Sequence, residues 1–428
     1  MNNKKKLLVL TVIMVSCFCM NCGNGVAGSD YSGTMPPVNW NLSLDMYLDG
    51  LNFQESEELE GLDDFVDFTF TLAYGMGTFV VGGAALCEDE GCQHFKEEDD
   101  DFERDVHPAI WYSTDGAKTW TKKARVFDNS EKNGLPRNHV NNNDRISAVG
   151  FGGGTFIAGT GSGSGPGYLI TSTNAIDWNE VESIKSNPIE RRFTRGRIIY
   201  GNRTFVYEPA RRPIMRPLVS KDYGQTWIEC NDKIDTRENF LPRPTSASIS
   251  FDNGLFYAIG NWNDENQDDS PYYLGIASSP DGIDWNIVVE EVDGESAAPT
   301  ALEGIRPMTF CAVGDVFIAS YRNHYDGWSE SGFAYSNDRG VTWESAYCDP
   351  AVASLDSWVI AITYGNGYLV AVGSADDEGK IWYSNDLGKS WRTVNTQFDD
   401  DSLVSITYGD GTFVAASETG KFYYCKVK

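Results

Sequence analysis

Basic residues are scarce in this sequence of 428 residues, which has 34 Lys and Arg against 62 Asp and Glu. The net charge of −28 at pH 7 repels phosphate backbones, so nucleic acid is excluded as an expected partner. No segment reaches the ~20 apolar residues that a membrane-spanning helix requires. The sequence also lacks a nucleophile elbow, a P-loop and a metalloprotease helix motif.

Proline is infrequent as well, at 16 residues, whereas glycine reaches 43 and aromatic residues make up 13% of the chain. This composition favours many short strands joined by tight turns. Hydrophobic residues make up 41% of the sequence and supply a large core, which argues against disorder.

The N-terminus has the pattern of an export signal. Lysines at 4–6 precede an apolar run at 7–15, which is too short to span a bilayer. Cys17 and Cys22 follow, and the pattern resembles a bacterial lipoprotein signal peptide, in which a lipidated cysteine becomes the new N-terminus. A cleaved signal without a lipid is the alternative.

The lipoprotein resemblance divides the start of the chain into two parts. Residues 1–22 form the signal peptide and lipidation region, with Cys17 or Cys22 lipidated. Residues 23–37, rich in Gly, Ser and Pro, form a flexible tether. The resemblance implies a bacterial cell-envelope location, periplasmic or surface-exposed, with the lipid anchor as the only membrane contact.

A repeated unit fills the rest of the chain, and its first half is an alternating strand, a glycine turn and a second apolar strand. FTLAYGMGTFVVGG from Phe70 and IAITYGNGYLVAVG from Ile360 are two of seven copies. Alternating strands joined by such turns predict β-hairpins.

The second half of the unit is a strand, a turn with Ser and Asp, and a strand led by Trp; we name each such turn a box. Six boxes end at Trp120, Trp178, Trp227, Trp285, Trp343 and Trp391. Their Ser and Asp side chains can bond backbone N–H groups of their own turn, glycine accepts the positive φ, and Trp packs between sheets. The boxes are therefore interpreted as structural, through Asp115, Asp222, Asp281, Asp338 and Asp386, with Asn174 replacing Asp in the second box.

These boxes resemble the Asp-box (BNR) repeats of the sialidase-like superfamily, which implies a β-propeller. The superfamily includes sialidases, xyloglucan-degrading hydrolases, sorting receptors and assembly factors, so the fold does not determine the function. With seven first halves and six boxes, residues 38–428 are predicted to form an all-β, seven-bladed propeller. An N-terminal strand around Trp40 would complete the last blade and close the ring.

Long, variable loops would lie on the face opposite the boxes, where function usually resides. Two of them carry aromatic residues next to polar ones, which suit a sugar or a protein surface. The candidate ligand-binding residues there are Trp262, Tyr272, Tyr321, His324, Tyr325 and Trp328. Several of these could instead cover the core.

Arginines form a second candidate group on the same face. Arg145 and Arg306 occupy equivalent positions at the start of their inner strands, and Arg195 and Arg197 lie near the same level. Converging guanidinium groups suit a carboxylate or a sulfate. This group is similar to the arginine cluster of sialidases, but the Arg-Ile-Pro motif is missing and sialidases have six blades, so no catalytic residues are assigned.

The segment 87–107 combines Cys87 and Cys92, a predicted local disulfide, with many carboxylates. A calcium site there is one alternative, although no EF-hand spacing supports it, and we expect no resident cofactor or metal. The sequence thus predicts a monomeric binding or scaffolding module for a glycan or protein ligand. The alternative is a glycoside hydrolase of sialidase-like or xyloglucanase-like type.

Overall fold

The structure of the chain is a computed structural model, and the residues that it describes lie within the compact unit Gly50–Lys428. It describes residues 51–57, 70–86, 106–123, 145–161, 168–181, 196–209, 217–230, 249–262, 273–290, 306–325, 328–348, 357–376, 378–394 and 401–427. These residues form 29 β-strands. The described part of the chain contains no helix long and apolar enough to cross a bilayer.

Seven antiparallel sheets follow one another along the chain as the blades of a propeller. β1 (Gln54–Glu55) comes first, and blades 1 to 3 follow it. They are built from β2 (Thr71–Gly75), β3 (Thr78–Leu86), β4 (Val106–Ser113) and β5 (Thr121–Lys123); β6 (Arg145–Gly152), β7 (Thr155–Gly161), β8 (Tyr168–Ser172) and β9 (Asn179–Glu180); and β10 (Gly196–Gly201), β11 (Thr204–Pro209), β12 (Leu218–Ser220) and β13 (Ile228–Glu229).

Blades 4 to 7 repeat this order. They are built from β14 (Ile249–Asp252), β15 (Leu255–Trp262), β16 (Tyr273–Ser279) and β17 (Asn286–Glu290); β18 (Arg306–Val313), β19 (Val316–Tyr325), β20 (Trp328–Ser336) and β21 (Glu344–Ser345), then β22 (Tyr347–Cys348); β23 (Trp358–Gly365), β24 (Tyr368–Ala375), β25 (Glu378–Ser384) and β26 (Ser390–Thr393); and β27 (Leu403–Gly409), β28 (Thr412–Ser417) and β29 (Phe422–Lys426).

The first strands of the seven blades form the inner ring around the propeller axis. Each contacts the first strand of the next blade, from β2 through β6, β10, β14, β18, β23 and β27, and β27 contacts β2 again. The predicted seven-bladed propeller is therefore confirmed.

The ring is closed by β1, which pairs antiparallel with β29 and completes blade 7. Gln54 faces Tyr424 in this ladder, and the Tyr424 hydroxyl donates to the Gln54 side-chain oxygen at 2.9 Å. The prediction of an N-terminal closing strand is confirmed, but its placement around Trp40 was wrong. Gln54–Glu55 fills the position through main-chain pairing, and Trp40 lies outside the described residues.

Blade 6 carries a fifth strand that the repeat pattern does not predict. After β21, the chain crosses to blade 6, where β22 pairs in parallel with β26. Tyr347 and Cys348 lie opposite Ser390 and Trp391 in this pairing. Blade 5 is thereby joined to the outer edge of blade 6.

The hydrophobic core is divided among the seven gaps between neighbouring blades. Each gap contains one cluster with side chains from both blades; Phe156 and Ala158, for example, meet Val80 and Ile110 between blades 1 and 2. Every box Trp packs in the gap between its own blade and the preceding one. Trp391 stacks on Phe333 with ring centroids 3.9 Å apart, an example of the predicted packing between sheets.

Candidate ligand-binding site

The boxes form closed hydrogen-bond networks of their own. In the third box, the Ser220 hydroxyl donates to Asp222 and accepts from the Gly224 N–H at 2.8 Å, while Asp222 accepts from the Thr226 N–H at 2.8 Å and from its hydroxyl at 2.5 Å. The Trp227 indole N–H donates to the Gly224 carbonyl at 2.9 Å. Gly224 has φ +87°, as predicted.

The same network recurs in the fifth and sixth boxes, around Asp338 and Asp386. In the shorter fourth box Asp281 accepts from two backbone N–H groups, and in the second box the side-chain oxygen of Asn174 does the same. In the first box, Asp115 accepts from two backbone N–H groups. The carboxylates are thus committed to their own turns, in agreement with a structural role.

Hydrogen bonding sets the ionisation of these carboxylates. Partial burial would raise the pKa of Asp222, but the bonds from Thr226 and Ser220 outweigh it and hold the pKa below its ordinary value. The same balance lowers the pKa of Asp115 and Asp338. For Asp281, the bond from Lys221 is the largest of the opposing effects and the pKa is again lowered.

The boxes share one face of the propeller with the turns between first and second strands, which we name the turn face. The Asn202 side chain, in the turn of blade 3, donates to the carbonyls of Gly254 and Pro280 in the turn and the box of blade 4. Arg339 in the fifth box pairs with Asp315 in the turn of its own blade at 2.6 Å. The opposite face, where inner strands begin, is the long-loop face.

Three inner strands begin on the long-loop face at matching positions. The first residue of each strand lies two positions before a β-bulge and seven positions before the last residue of the strand. These first residues are Arg145 in β6, Arg306 in β18 and Trp358 in β23. The predicted equivalence of Arg145 and Arg306 therefore holds in the strand register. Trp358 is a third member that sequence reasoning missed, although its distance from the glycine turn is the same and would have revealed it.

Trp358 and Arg322 form a stacked pair where blades 5 and 6 meet. Trp358 is 46% exposed, and the guanidinium carbon of half-buried Arg322 lies 4.6 Å from its ring centroid. This geometry is a cation–π interaction. Arg322 also lies opposite Arg306 in the β18–β19 ladder, so two arginines occupy one rung at the long-loop face.

Arg197 lies further along its inner strand, in blade 3. Its Nη1 atom is buried and has no hydrogen-bond partner among the described residues. Burial raises the pKa of the Cys311 thiol in blade 5 to about 12, with Arg197 opposing that rise and Asp252 adding to it. Arg197 and Cys311 both lie on inner strands, β10 of blade 3 and β18 of blade 5.

The aromatic candidates that the structure describes lie on paired strands of hairpins. β19 and β20 stay paired out to Tyr325 and Trp328, and His324 lies opposite Ser329. Trp262 likewise pairs with Tyr273 at the end of the β15–β16 hairpin. The expected loop in blade 5 is therefore an extended hairpin, because ladder pairing continues past the blade body.

Tyr321 is a correction to the predicted site. It is 8% exposed and belongs to the core cluster between blades 4 and 5. A Cβ atom on Gly332 would lie 2.8 Å from its hydroxyl, so the ring packs on a residue without a side chain. Tyr321 is a core residue and presents no surface to a ligand.

Several predictions lie outside the described residues, namely Arg195, Tyr272, the lipidation candidates Cys17 and Cys22, and the Cys87–Cys92 pair. The calcium alternative in 87–107 lies there too, apart from Val106 and His107. Within the described residues, no three His, Cys, Asp or Glu side chains are grouped to hold a metal ion. Cys311 and Cys425 are free thiols.

Carboxylates are nearly missing from the described inner strands. Asp252 is the one acidic residue in β2, β6, β10, β14, β18, β23 and β27, and it lies at the turn-face end of β14. It accepts from the Gly314 N–H at 2.9 Å. Glycoside hydrolysis uses two carboxylates about 5 to 10 Å apart, and the described inner strands supply no such pair.

No family's sequence model matches the chain, and no curated protein sequence is similar to it. Solved structures are similar in shape. YCF48 bound to a D1 peptide has a TM-score of 0.51 and 10% identity, covering 89% of this chain and 96% of that one. A PL25 ulvan lyase has a TM-score of 0.51 and 10% identity, and the match covers 87% of this chain and 96% of the lyase. The virginiamycin B lyase of Staphylococcus aureus has a TM-score of 0.50 and 11% identity, and the match covers 88% of this chain and 100% of the lyase. At these identities the likeness shows the fold alone, and the fold is a β-propeller.

Proposed function

We propose that this chain is a lipid-anchored protein of the bacterial cell envelope whose propeller binds a glycan or protein ligand through its long-loop face. The observation that carries the proposal is the exposed indole of Trp358, stacked with Arg322 at the mouth of that face. An exposed aromatic ring beside a cation suits a sugar face or a protein anchor residue.

The similar structures support both ligand classes without choosing between them. One of them is bound to a peptide, and another ulvan lyase structure, with a TM-score of 0.51 and 11% identity, is bound to -[GlcA(1-4)Rha3S]-. A propeller of this shape can therefore present either kind of surface. The turn face is less suited, because its box carboxylates are already hydrogen-bonded within their own turns.

Binding is favoured over hydrolysis. A glycosidase of sialidase-like or xyloglucanase-like type would need paired carboxylates in the channel, and the described inner strands offer only Asp252. The boxes resemble Asp-box repeats, and their hydrogen bonds support folding and not catalysis.

The envelope location depends on the N-terminal pattern of lysines, apolar run and cysteines. Mass spectrometry of the N-terminus of the chain produced in a bacterial host tests it. We expect an acylated Cys17 or Cys22, and an N-terminus without acyl chains would refute the anchor.

The ligand is tested by glycan-array binding of the full chain in detergent, together with turnover of fluorogenic glycosides. We expect binding without turnover, and the Trp358→Ala variant should lose the binding. Turnover that survives purification to homogeneity would favour the hydrolase instead.

A further inference from the structure

One face of β19 changes from apolar to charged as it approaches the long-loop face. Ile318, Ser320 and Arg322 alternate along this strand and therefore project from the same side of the sheet. Ile318 packs in the core cluster between blades 5 and 6, and Arg322 lies over Trp358 of blade 6. This side of β19 thus faces blade 6, and we name the region where blades 5 and 6 meet around Thr309, Ser320, Arg322 and Trp358 the Trp358 cleft.

A pair of hydroxyl groups lies between the apolar core and the arginine. Thr309 on β18 is directly opposite Ser320, so their side chains project from the same side of the sheet. Both residues are 1% exposed, and neither hydroxyl oxygen has a hydrogen-bond partner in the described part of the chain.

Unpartnered hydroxyls are costly in a folded protein. A buried hydroxyl without a hydrogen bond has lost its contacts with water and gained nothing in exchange, and this rung contains two such hydroxyls. Valine or alanine would avoid that cost with nearly the same shape. Polar groups that a fold leaves unsatisfied next to a half-buried cation and an exposed ring are suited to a ligand that supplies the partners.

The Trp358 cleft combines an aromatic ring, a pair of hydroxyl groups and a guanidinium group, and together these suit one class of ligand. The indole of Trp358 suits the apolar face of a sugar ring, and the two hydroxyls can donate to or accept from sugar hydroxyls. The guanidinium of Arg322 suits a carboxylate or a sulfate. Arg306 lies at the directly opposed position on β18, so a second arginine occupies this rung.

We propose that the Trp358 cleft binds a saccharide that carries a carboxylate or a sulfate group. The anionic group lies at Arg322, the sugar ring lies against Trp358, and a sugar hydroxyl reaches Thr309 and Ser320. This inference rests on the proposed binding function and narrows its ligand. With a net charge of −28, the chain repels anions on average, so binding of one requires a local positive charge such as that of Arg322.

The test is calorimetric titration of the full chain in detergent with three tetrasaccharides. Hyaluronan tetrasaccharide carries carboxylates only, chondroitin sulfate tetrasaccharide carries carboxylates and sulfates, and chitotetraose is neutral. We expect at least about tenfold tighter binding of an acidic probe than of chitotetraose. The first two probes distinguish carboxylate from sulfate. Equal binding of all three would overturn the anionic assignment while leaving glycan binding intact.

Thr309→Val is the decisive variant, because it separates a ligand-binding role from a structural one. Removal of an unpartnered buried hydroxyl should leave the thermal midpoint unchanged or higher. If the hydroxyl bonds the ligand, affinity for the acidic probe should fall about threefold to tenfold. A higher midpoint with unchanged affinity would overturn the role of the hydroxyl rung.

Two further variants test Trp358 and Arg322, each against a matched control. Trp358→Ala should weaken all saccharide binding at least about tenfold, whereas Tyr347→Ala, an exposed aromatic on the outer edge of blade 6, should not. Arg322→Gln should weaken the acidic probe alone, whereas Arg339→Gln on the turn face should have no effect. Binding that survives both cleft variants would place the site elsewhere. A chain that binds no saccharide but binds a purified protein ligand would refute this inference and keep the proposed function.

Discussion

The ring of Tyr200 lies directly on Gly152, where a Cβ atom would be 1.9 Å from the Tyr200 Cγ atom. The relation joins the inner strands of blades 2 and 3 at their turn-face ends. It recurs in four other gaps, as Gly75 with Phe151, Gly201 with Phe251, Gly365 with Tyr408 and Gly409 with Tyr74. A ring of glycines and aromatic residues thus sets the spacing of inner strands around the axis.

Gly152→Ala should destabilise the propeller, because the added methyl group overlaps the Tyr200 ring and inner strands must separate. Overpacking of this kind costs about 1–3 kcal/mol. Urea unfolding of the variant measures the loss. The double variant Gly152→Ala/Tyr200→Gly is the control, since it removes the whole Tyr200 side chain, which supplies the three atoms nearest to the added methyl group. The alanine at 152 should then add less to the cost of Tyr200→Gly than it costs alone. Strictly additive effects would contradict the contact.

Much of this ring follows from the sequence, because six of the seven inner strands have an aromatic residue at the next-to-last position, followed by a glycine turn; β18 is the exception. The blade count and the hairpins are recoverable for that reason. The closing strand is not, because Gln54–Glu55 pairs through main-chain groups and carries neither a Trp nor apolar alternation. A two-residue strand of polar residues has no periodicity to detect.

The candidate site was predictable in part. The register of Arg145 and Arg306 follows from counting back from the glycine turn, and the same count reaches Trp358. The stacking of Arg322 on Trp358 joins two blades, so it depends on packing that sequence spacing does not encode. The extended hairpin of blade 5 has a signal that was overlooked, the Asp-Gly dipeptide at 326–327, which favours two-residue hairpin turns.

Asp222→Ala should destabilise the chain by about 1–3 kcal/mol without changing ligand affinity. The substitution removes the acceptor for the Thr226 N–H and hydroxyl and for Ser220, all on the turn face. Chemical unfolding and ligand titration measure the two effects separately. Asp222→Asn is the matched control and should be milder, because Asn174 already serves in the second box with its oxygen accepting two backbone N–H groups. Lost affinity in a folded Asp222→Ala protein would contradict the structural role.

Acid should destabilise the propeller through the same carboxylates. The folded-state pKa of Asp115, Asp222 and Asp338 lies below the value of about 3.9 for an unfolded Asp, so the unfolded chain takes up protons first. Their contribution to stability is present above about pH 4 and is lost as pH falls through the folded pKa values. Thermal midpoints measured between pH 6 and pH 2.5 should fall in this window, and the fall should be smaller in Asp222→Asn. An equal fall in both proteins would assign the acid sensitivity to other groups.

Removal of the closing strand should open the ring between blades 7 and 1. Around β1, the Ser56 N–H donates to the Phe422 carbonyl of blade 7 at 2.8 Å, and the Glu57 N–H donates to the Lys118 carbonyl of blade 1 at 3.0 Å. Deletion of residues 1–57 removes these bonds and the buried side chains of Leu51 and Phe53, whose burial contributes about 1.5–3 kcal/mol each. Deletion of residues 1–50 keeps all of them and is the control.

The longer deletion should therefore unfold at a lower temperature than the shorter one, and it should self-associate, because β29 becomes an unpaired edge. Differential scanning calorimetry and size-exclusion chromatography of the two proteins measure these outcomes. Equal thermal midpoints would show that β1 does not hold the ring closed, and the closure would then depend on the core between blades 7 and 1. A monomeric but destabilised longer deletion would keep the closure and show that the β29 edge is protected in another way.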